Sequence, residues 1–182
     1  MSEEALIDHC SPTLAGIKTG NLFRLAYATK GEMTSSVRGW NKSLRDKGLR
    51  VVPLEYRDGY ALLYVYRPAL LSGDLLCDGA RELLCERGYS VEFPDRCVAC
   101  LAKRLAEQRE FPHEIGLFLG YPPEDVRGFI ENRQSCKTVG AWKVYGDVNR
   151  AEKTFKKYKK CAEIYKKAWR EGRSVEQLTV SV

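Results

Sequence analysis

The stretch LRVVPLEYRDGYALLYVYRP, residues 49–68, does most to limit what this chain can fold into. Two runs rich in Val, Leu and Tyr flank Asp58-Gly59, and an Asp-Gly pair tolerates the positive φ angles of a tight hairpin turn. An antiparallel β-hairpin is therefore predicted here, and other elements must pack against it. Pro53 has no amide hydrogen to give to a ladder, which puts its strand at an edge or a bulge. GAWKVYG, residues 140–146, alternates well enough to be a strand. It is expected to extend the hairpin into a small antiparallel sheet.

Most of the remaining chain has helical period. Ser2 ahead of Glu3 and Glu4 suits the start of a short helix ending near His9. CSPTLAGIKTGNLFRL, residues 10–25, is too rich in Pro, Gly and small residues for a regular element. Val37, Trp40 and Leu44 share one helix face, which Gly48 closes. Residues 73–88 are expected to form one helix with Leu76, Ala80 and Leu83 inward, and YSVEF (residues 89–93) a brief strand. A further helix starts at Pro94 and turns Val98, Leu101 and Leu105 inward. The fold class that results is α+β, a small antiparallel sheet covered by five or more helices.

With 182 residues, 44% of them apolar, the chain suits one compact domain over residues 1–182. No apolar run approaches the roughly 20 residues that a bilayer-spanning helix needs. The start, MSEEALIDHC, has acids where a secretory signal carries basic residues. A cytoplasmic protein without membrane contact is expected, and its seven cysteines should be thiols.

The net charge of +6 is localised. Residues 150–173 hold ten Lys or Arg against three Glu, while the rest of the chain holds 20 bases against 21 acids. This segment belongs to a long helix predicted over about residues 148–172, roughly six turns at 3.6 residues each. Ala151, Phe155, Tyr158, Ala162, Tyr165 and Trp169 recur by three and four residues, a continuous seam that must be buried. Lys156, Lys157, Lys159 and Lys160 fall on the other faces. They are either a solvated lysine face or an electrostatic dock for something acidic.

FPHEIGLFLGYPPEDVRGFIEN, residues 111–132, has the spacing of two short helices hinged at Gly120-Tyr121, like a helix-turn-helix. Its second helix would face outward with Glu124, Asp125, Arg127, Gly128 and Glu131. That face is net acidic and therefore poorly suited to phosphates, so nucleic-acid binding is disfavoured. His113 is expected to cap or half-bury itself. Glu114 beside it lacks the second histidine of a metalloprotease pattern.

Cys97 and Cys100 form a CxxC at a predicted helix N-terminus, where the dipole lowers thiol pKa. With Cys77 and Cys85 they fit no standard zinc spacing, so packing is the expected role and no metal site is predicted. HCSPTLAGIKTGN, residues 9–21, is the most chemical stretch. Cys10 is a candidate nucleophile with His9 or His113 as base. Thr13, Lys18, Asn21 and Glu114 are candidate ligand contacts. The order of residues is wrong for a phosphate-binding Walker loop, and nothing in the chain names a cofactor.

Three stretches together, HCSPTLAGIKTGNLF, FPHEIGLFLGYPPEDVRGFIEN and GAWKVYGD, followed by the basic helix, resemble an uncharacterised domain-of-unknown-function family (family 3793) of anaerobic Gram-positive bacteria. The resemblance covers nearly the whole chain. It implies a standalone cytoplasmic protein and supplies no established activity. It also associates such proteins with gene neighbourhoods of flavodoxin-like and iron-uptake proteins. The CVAC pair is not among the motifs that carry it. Two functions follow as expectations: a small-ligand or cofactor-handling protein, or an interaction module whose lysine face docks an acidic redox protein.

Overall fold

Asp58 and Gly59 both adopt positive φ, 51° and 78°, and the chain reverses between them as the Asp-Gly pair requires. In the computed structural model, which describes residues 3–107 and 110–181, the N-terminal elements are α1 (Glu4–Leu14), β1 (Gly20–Ala26) and α2 (Lys30–Leu44). The hairpin β2 (Arg50–Arg57) and β3 (Tyr60–Tyr66) follows, and then α3 (Pro68–Leu76), α4 (Asp78–Glu86) and α5 (Pro94–Glu107). The corner α6 (Ile115–Phe118) and α7 (Pro123–Glu131) leads to β4 (Thr138–Val139) and β5 (Lys143–Val144). The chain closes with α8 (Val148–Arg170) and α9 (Val175–Leu178).

The class is α+β with a three-stranded antiparallel sheet, as expected, but its third strand is a different one. The order is β1-β3-β2, and β1 pairs with β3 from Gly20↔Tyr66 to Ala26↔Tyr60. β5 instead pairs with β4 in a separate two-stranded sheet. The register of β2 on β3 shifts between Pro53 and Glu55, so the proline does sit at a bulge on an edge strand.

Because β3 is central, alternate side chains on it enter two different cores. Leu62, Tyr64 and Tyr66 face a cluster built from α3 to α7. Ala61, Leu63 and Val65 face a second cluster with Leu6, Cys10, Met33, Trp40 and Leu178. A third, smaller cluster holds Trp142, Val144 and Ala151 against Tyr121, Phe155 and Tyr158. The seam of α8 therefore serves two cores. Phe155 and Tyr158 join the third cluster, and Tyr165 and Trp169 join the second.

Several local expectations are corrected. The first helix does not end near His9. It runs to Leu14 through Pro12, whose missing amide falls in the last turn, and Ser2 lies outside the described residues. Residues 73–88 are split between two helices at Cys77, which is extended, so Leu76 is exposed while Leu71 and Leu75 point inward. Residues 89–93 form a turn, not a strand. No described helix is long and apolar enough to cross a membrane.

Candidate functional site

Two of the three sequence stretches meet at Lys18, and the third packs beside them through Trp142 on Tyr121. The turn from α1 into β1 carries Lys18 and Thr19, and both are buried. Thr19 donates from Oγ1 to the carboxylate of Asp74 on α3. Gly120, at φ 74°, brings the α6–α7 turn so close that an added Cβ would lie 2.7 Å from Thr19 Oγ1. Only glycine satisfies both that angle and that approach. The next residue, Tyr121, lies under the Lys18 ammonium, with Nζ 5.5 Å from the ring centroid. Tyr158 of α8 supplies a second ring at 5.7 Å.

No carboxylate forms an ion pair with Lys18 among the described residues. Burial pushes its pKa down to about 8, with the nearby Cys10 acting weakly the other way. Burial likewise raises the pKa of Asp74, although its bond from Thr19 opposes this, and pushes the Tyr158 phenol up to about 12. Cys10 is fully buried and its thiol is held far above the ordinary range. Such a thiol stays protonated, which is the state of a packing cysteine and not of a nucleophile.

Beside this cluster, Tyr121 stacks on Trp142 at 4.8 Å between ring centroids. Trp142 is fixed by Asp125, whose Oδ2 accepts from the indole Nε1 at 2.7 Å. Asp125 Oδ1 accepts from the amides of Tyr145 and Gly146, also at 2.7 Å. One buried carboxylate thus holds the small β4–β5 sheet onto α7. Asp125 and Gly128, expected to face outward, both face inward, and Gly128 leaves room for the Tyr145 ring.

The Tyr121–Trp142 pair bounds an apolar cavity of about 370 Å³. Its other walls are Phe111, Ile115, Val126 and Phe129, with His113, Asp125 and Lys143 as its polar members. The His113 ring meets Phe129 edge-on at 5.0 Å and pairs through Nε2 with Arg133. Burial, reinforced by Arg133, lowers the His113 pKa, so the imidazole is neutral at neutral pH. A second cavity of about 240 Å³ lies on the Tyr158 side, with Ile17, Glu124, Asp147, Arg150, Thr154 and Lys157 in its lining.

The structure does not gather all the expected pocket residues in one place. His9 is exposed and stacks on Phe23, a member of the second cluster, at 4.9 Å. His113 packs near Ile115 and Val126, which belong to the first cluster on the other face of β3. Thr13 and Asn21 do meet, since Thr13 Oγ1 donates to Asn21 Oδ1 at 2.7 Å. Glu114 is buried and engaged. It accepts from the Tyr89 hydroxyl at 3.0 Å and lies 3.6 Å and 3.5 Å from Arg87 and Arg104. Sequence reasoning missed Asp74, Tyr121, Trp142 and Phe129. Tyr121 and Trp142 stood within the motifs that carry the resemblance, and that was the available signal.

Cys97 is buried on α5 and its thiol donates to the Ser90 carbonyl at 3.3 Å, with a pKa raised by burial to about 11. Among the described residues no group of three or more His, Cys, Asp or Glu side chains is placed to hold a metal ion. On α7, Arg127 is surrounded by Glu82, Glu86 and Glu131 within 3.7 Å, so the one outward cation of that helix is occupied. On α8, Lys156, Lys157, Lys159 and Lys160 are exposed and form no ion pair among the described residues, whereas Lys166 pairs with Asp8 at 2.9 Å.

The fold and its junction define an α+β protein in which a buried lysine and an aromatic-walled cavity share one tyrosine. The chain belongs to the family described as protein of unknown function (DUF3793), whose family model matches residues 6–179. Neither a curated protein nor a solved structure matches it significantly.

Proposed function

We propose that this chain binds a small, planar, largely apolar ligand in the cavity between α7, β5 and the segment from Phe111 to Ile115. The observation that carries this reading is the cavity itself, about 370 Å³ with Phe111, Tyr121, Phe129 and Trp142 in its walls. Small-molecule sites have this volume and this predominance of aromatic lining, with a few polar groups to set orientation. His113 and Lys143 are those groups, since Asp125, the third polar residue of the lining, is engaged by Trp142, Tyr145 and Gly146. Trp142 reports directly on occupancy. In a Trp40→Phe, Trp169→Phe background, titration with indole or 2-naphthol should change Trp142 fluorescence saturably. Phe129→Ala should weaken that binding about tenfold, the loss of one aromatic wall. A folded protein with no saturable response to either compound refutes the reading.

A second reading rests on the free lysines of α8. Four exposed lysines without carboxylate partners among the described residues suit the surface of an acidic protein, such as a flavodoxin-like redox protein, better than a sequence-reading contact with nucleic acid. Retention of such a protein should fall steeply between 50 and 300 mM salt, roughly the range over which the Debye length shortens from above 10 Å to below 8 Å. Changing Lys156, Lys157, Lys159 and Lys160 to Glu should abolish it. Binding that ignores both changes removes this reading.

A further inference from the structure

Three basic side chains gather on one wall of the aromatic cavity. The Phe129 ring meets His113 edge-on, and its centroid lies 5.4 Å from the Arg133 guanidinium carbon and 5.6 Å from Lys143 Nζ. A ring attracts such cations without neutralising them. Neither Arg133 nor Lys143 pairs with a carboxylate among the described residues. Lys143 donates instead to the Arg133 carbonyl at 3.1 Å, and Arg133 donates from Nη2 to Nε2 of His113. A guanidinium only donates, so that Nε2 carries the lone pair and the imidazole proton sits on Nδ1. This Nδ1–H has no acceptor among the described residues. The nearby acids leave the cluster cationic. Asp125 is taken up by Trp142, Tyr145 and Gly146, and Glu114 lies between Arg87 and Arg104. Glu110, which also acts on His113, is exposed to solvent. The cavity is graded in the same direction. Ile115, Val126 and Trp142 are buried, whereas Phe111, its ring 6.5 Å from that of His113, is 45% exposed. The apolar interior thus opens to solvent where the basic groups stand.

We propose that the ligand of this cavity is an aromatic carboxylic acid, with its rings among Tyr121, Phe129 and Trp142 and its carboxylate at the rim beside Lys143, Arg133 and His113. The inference rests on the apolar site proposed above and adds the charge of its ligand. A neutral aromatic compound would leave two cations sharing one ring without a counter-ion, and an amine would add a third positive charge. A carboxylate offers two oxygens, which suit a guanidinium and an ammonium by charge-assisted hydrogen bonds. At the exposed rim it also keeps part of its hydration, so a charge is not buried to seat the rings.

Calorimetric titration at neutral pH with three compounds of one shape tests it: 2-naphthoate, 2-naphthamide and 2-naphthylmethylammonium. The acid should bind about tenfold more tightly than the amide, and the ammonium most weakly of the three. Arg133→Gln and Lys143→Gln should each weaken binding of the acid about threefold and leave the amide unchanged. Both side chains stand outside the core, so the variants keep the fold. Arg133→Lys, which keeps the charge, should lose less than Arg133→Gln. Added salt should narrow the gap between acid and amide. Equal affinity for acid and amide, or a preference for the acid that survives both Gln substitutions together, overturns the inference while the apolar site stands. Saturable binding of none of the three removes the site and the inference together.

Discussion

Lys18 exposes a conflict at the scale of one residue. Its pKa of about 8 in the fold lies below the 10.5 of an unfolded chain, so the folded state binds fewer protons between those values. Below pH 8 the group is charged in both states, and the fold carries the full desolvation cost, on the order of 3 kcal/mol. From pH 8 to 10.5 the unfolded chain keeps a proton that the fold has released, so this cost is relieved as pH rises. Above 10.5 both states are neutral and it has gone. Methionine has nearly the same length and no charge. Lys18→Met should therefore stabilise the protein at pH 7 by about 2 kcal/mol, the contacts with Tyr121 and Tyr158 offsetting part of the gain. That advantage should disappear by about pH 11. Urea denaturation of both proteins at the two pH values measures it. A Lys18→Met protein less stable than wild type at pH 7 would show that the two rings stabilise the ammonium by more than burial costs.

At the scale of elements, the β4–β5 sheet is too small to stand alone, with two residues in each strand. Asp125 supplies what the ladder lacks, by accepting from Trp142, Tyr145 and Gly146. Asp125→Ala leaves one buried and two half-buried donors without their acceptor, which should cost about 2 kcal/mol. Hydrogen exchange would then show lost protection at the Tyr145 and Gly146 amides, with the β1–β3 ladder unaffected. Unchanged protection at those two amides would mean that packing of Trp142 on Tyr121 holds the sheet instead. This latch also shows why the sequence was only partly legible. The hairpin was readable because its turn is local, two residues at positive φ between two apolar runs. β1 was hidden behind Pro12, Gly16 and Gly20, and its partner β3 lies some forty residues further along the chain. AWKVY has the alternation of a strand, but alternation does not name a partner. The site was legible in the same uneven way. Lys18 stood out as a polar residue in a Gly-rich stretch. Tyr121 and Tyr158 lie in two distant segments, and by spacing alone they looked like a turn residue and a core seam.

Across the whole molecule one side chain, that of Arg67, binds both the end of α1 and the tail after α9, beside the backbone bond from the Val180 amide to the Leu14 carbonyl. Arg67 follows the central strand β3 and is 1% exposed, and no carboxylate pairs with it among the described residues. Its guanidinium donates instead to backbone carbonyls. Nε reaches Thr13 at 2.7 Å, Nη2 reaches Leu14 at 2.7 Å and Val180 at 2.8 Å, and Nη1 reaches Lys47 at 3.1 Å. Thr13 and Leu14 are the last residues of α1, whose carbonyls have no partner within the helix, and a cation there also opposes the helix dipole. The same guanidinium therefore caps the first helix, holds the turn after α2 and ties down the tail after α9. The Lys18 cluster hangs from this knot, because Lys18 and Thr19 leave the capped end of α1 directly. Arg67→Met removes four hydrogen bonds, although the Thr13 and Leu14 carbonyls keep the amides of Gly16 and Val180, so a loss of about 2 kcal/mol is expected. Arg67→Lys keeps the charge but has no planar fork, and should lose less than Met does. Urea denaturation followed at Trp40 and Trp169, which both pack on the second cluster, gives the stabilities. If the loss for Arg67→Met is below 1 kcal/mol, those carbonyls have found other partners and the knot is not what joins the ends. If it is near 2 kcal/mol or above, the guanidinium is what holds the end of α1 against the tail after α9.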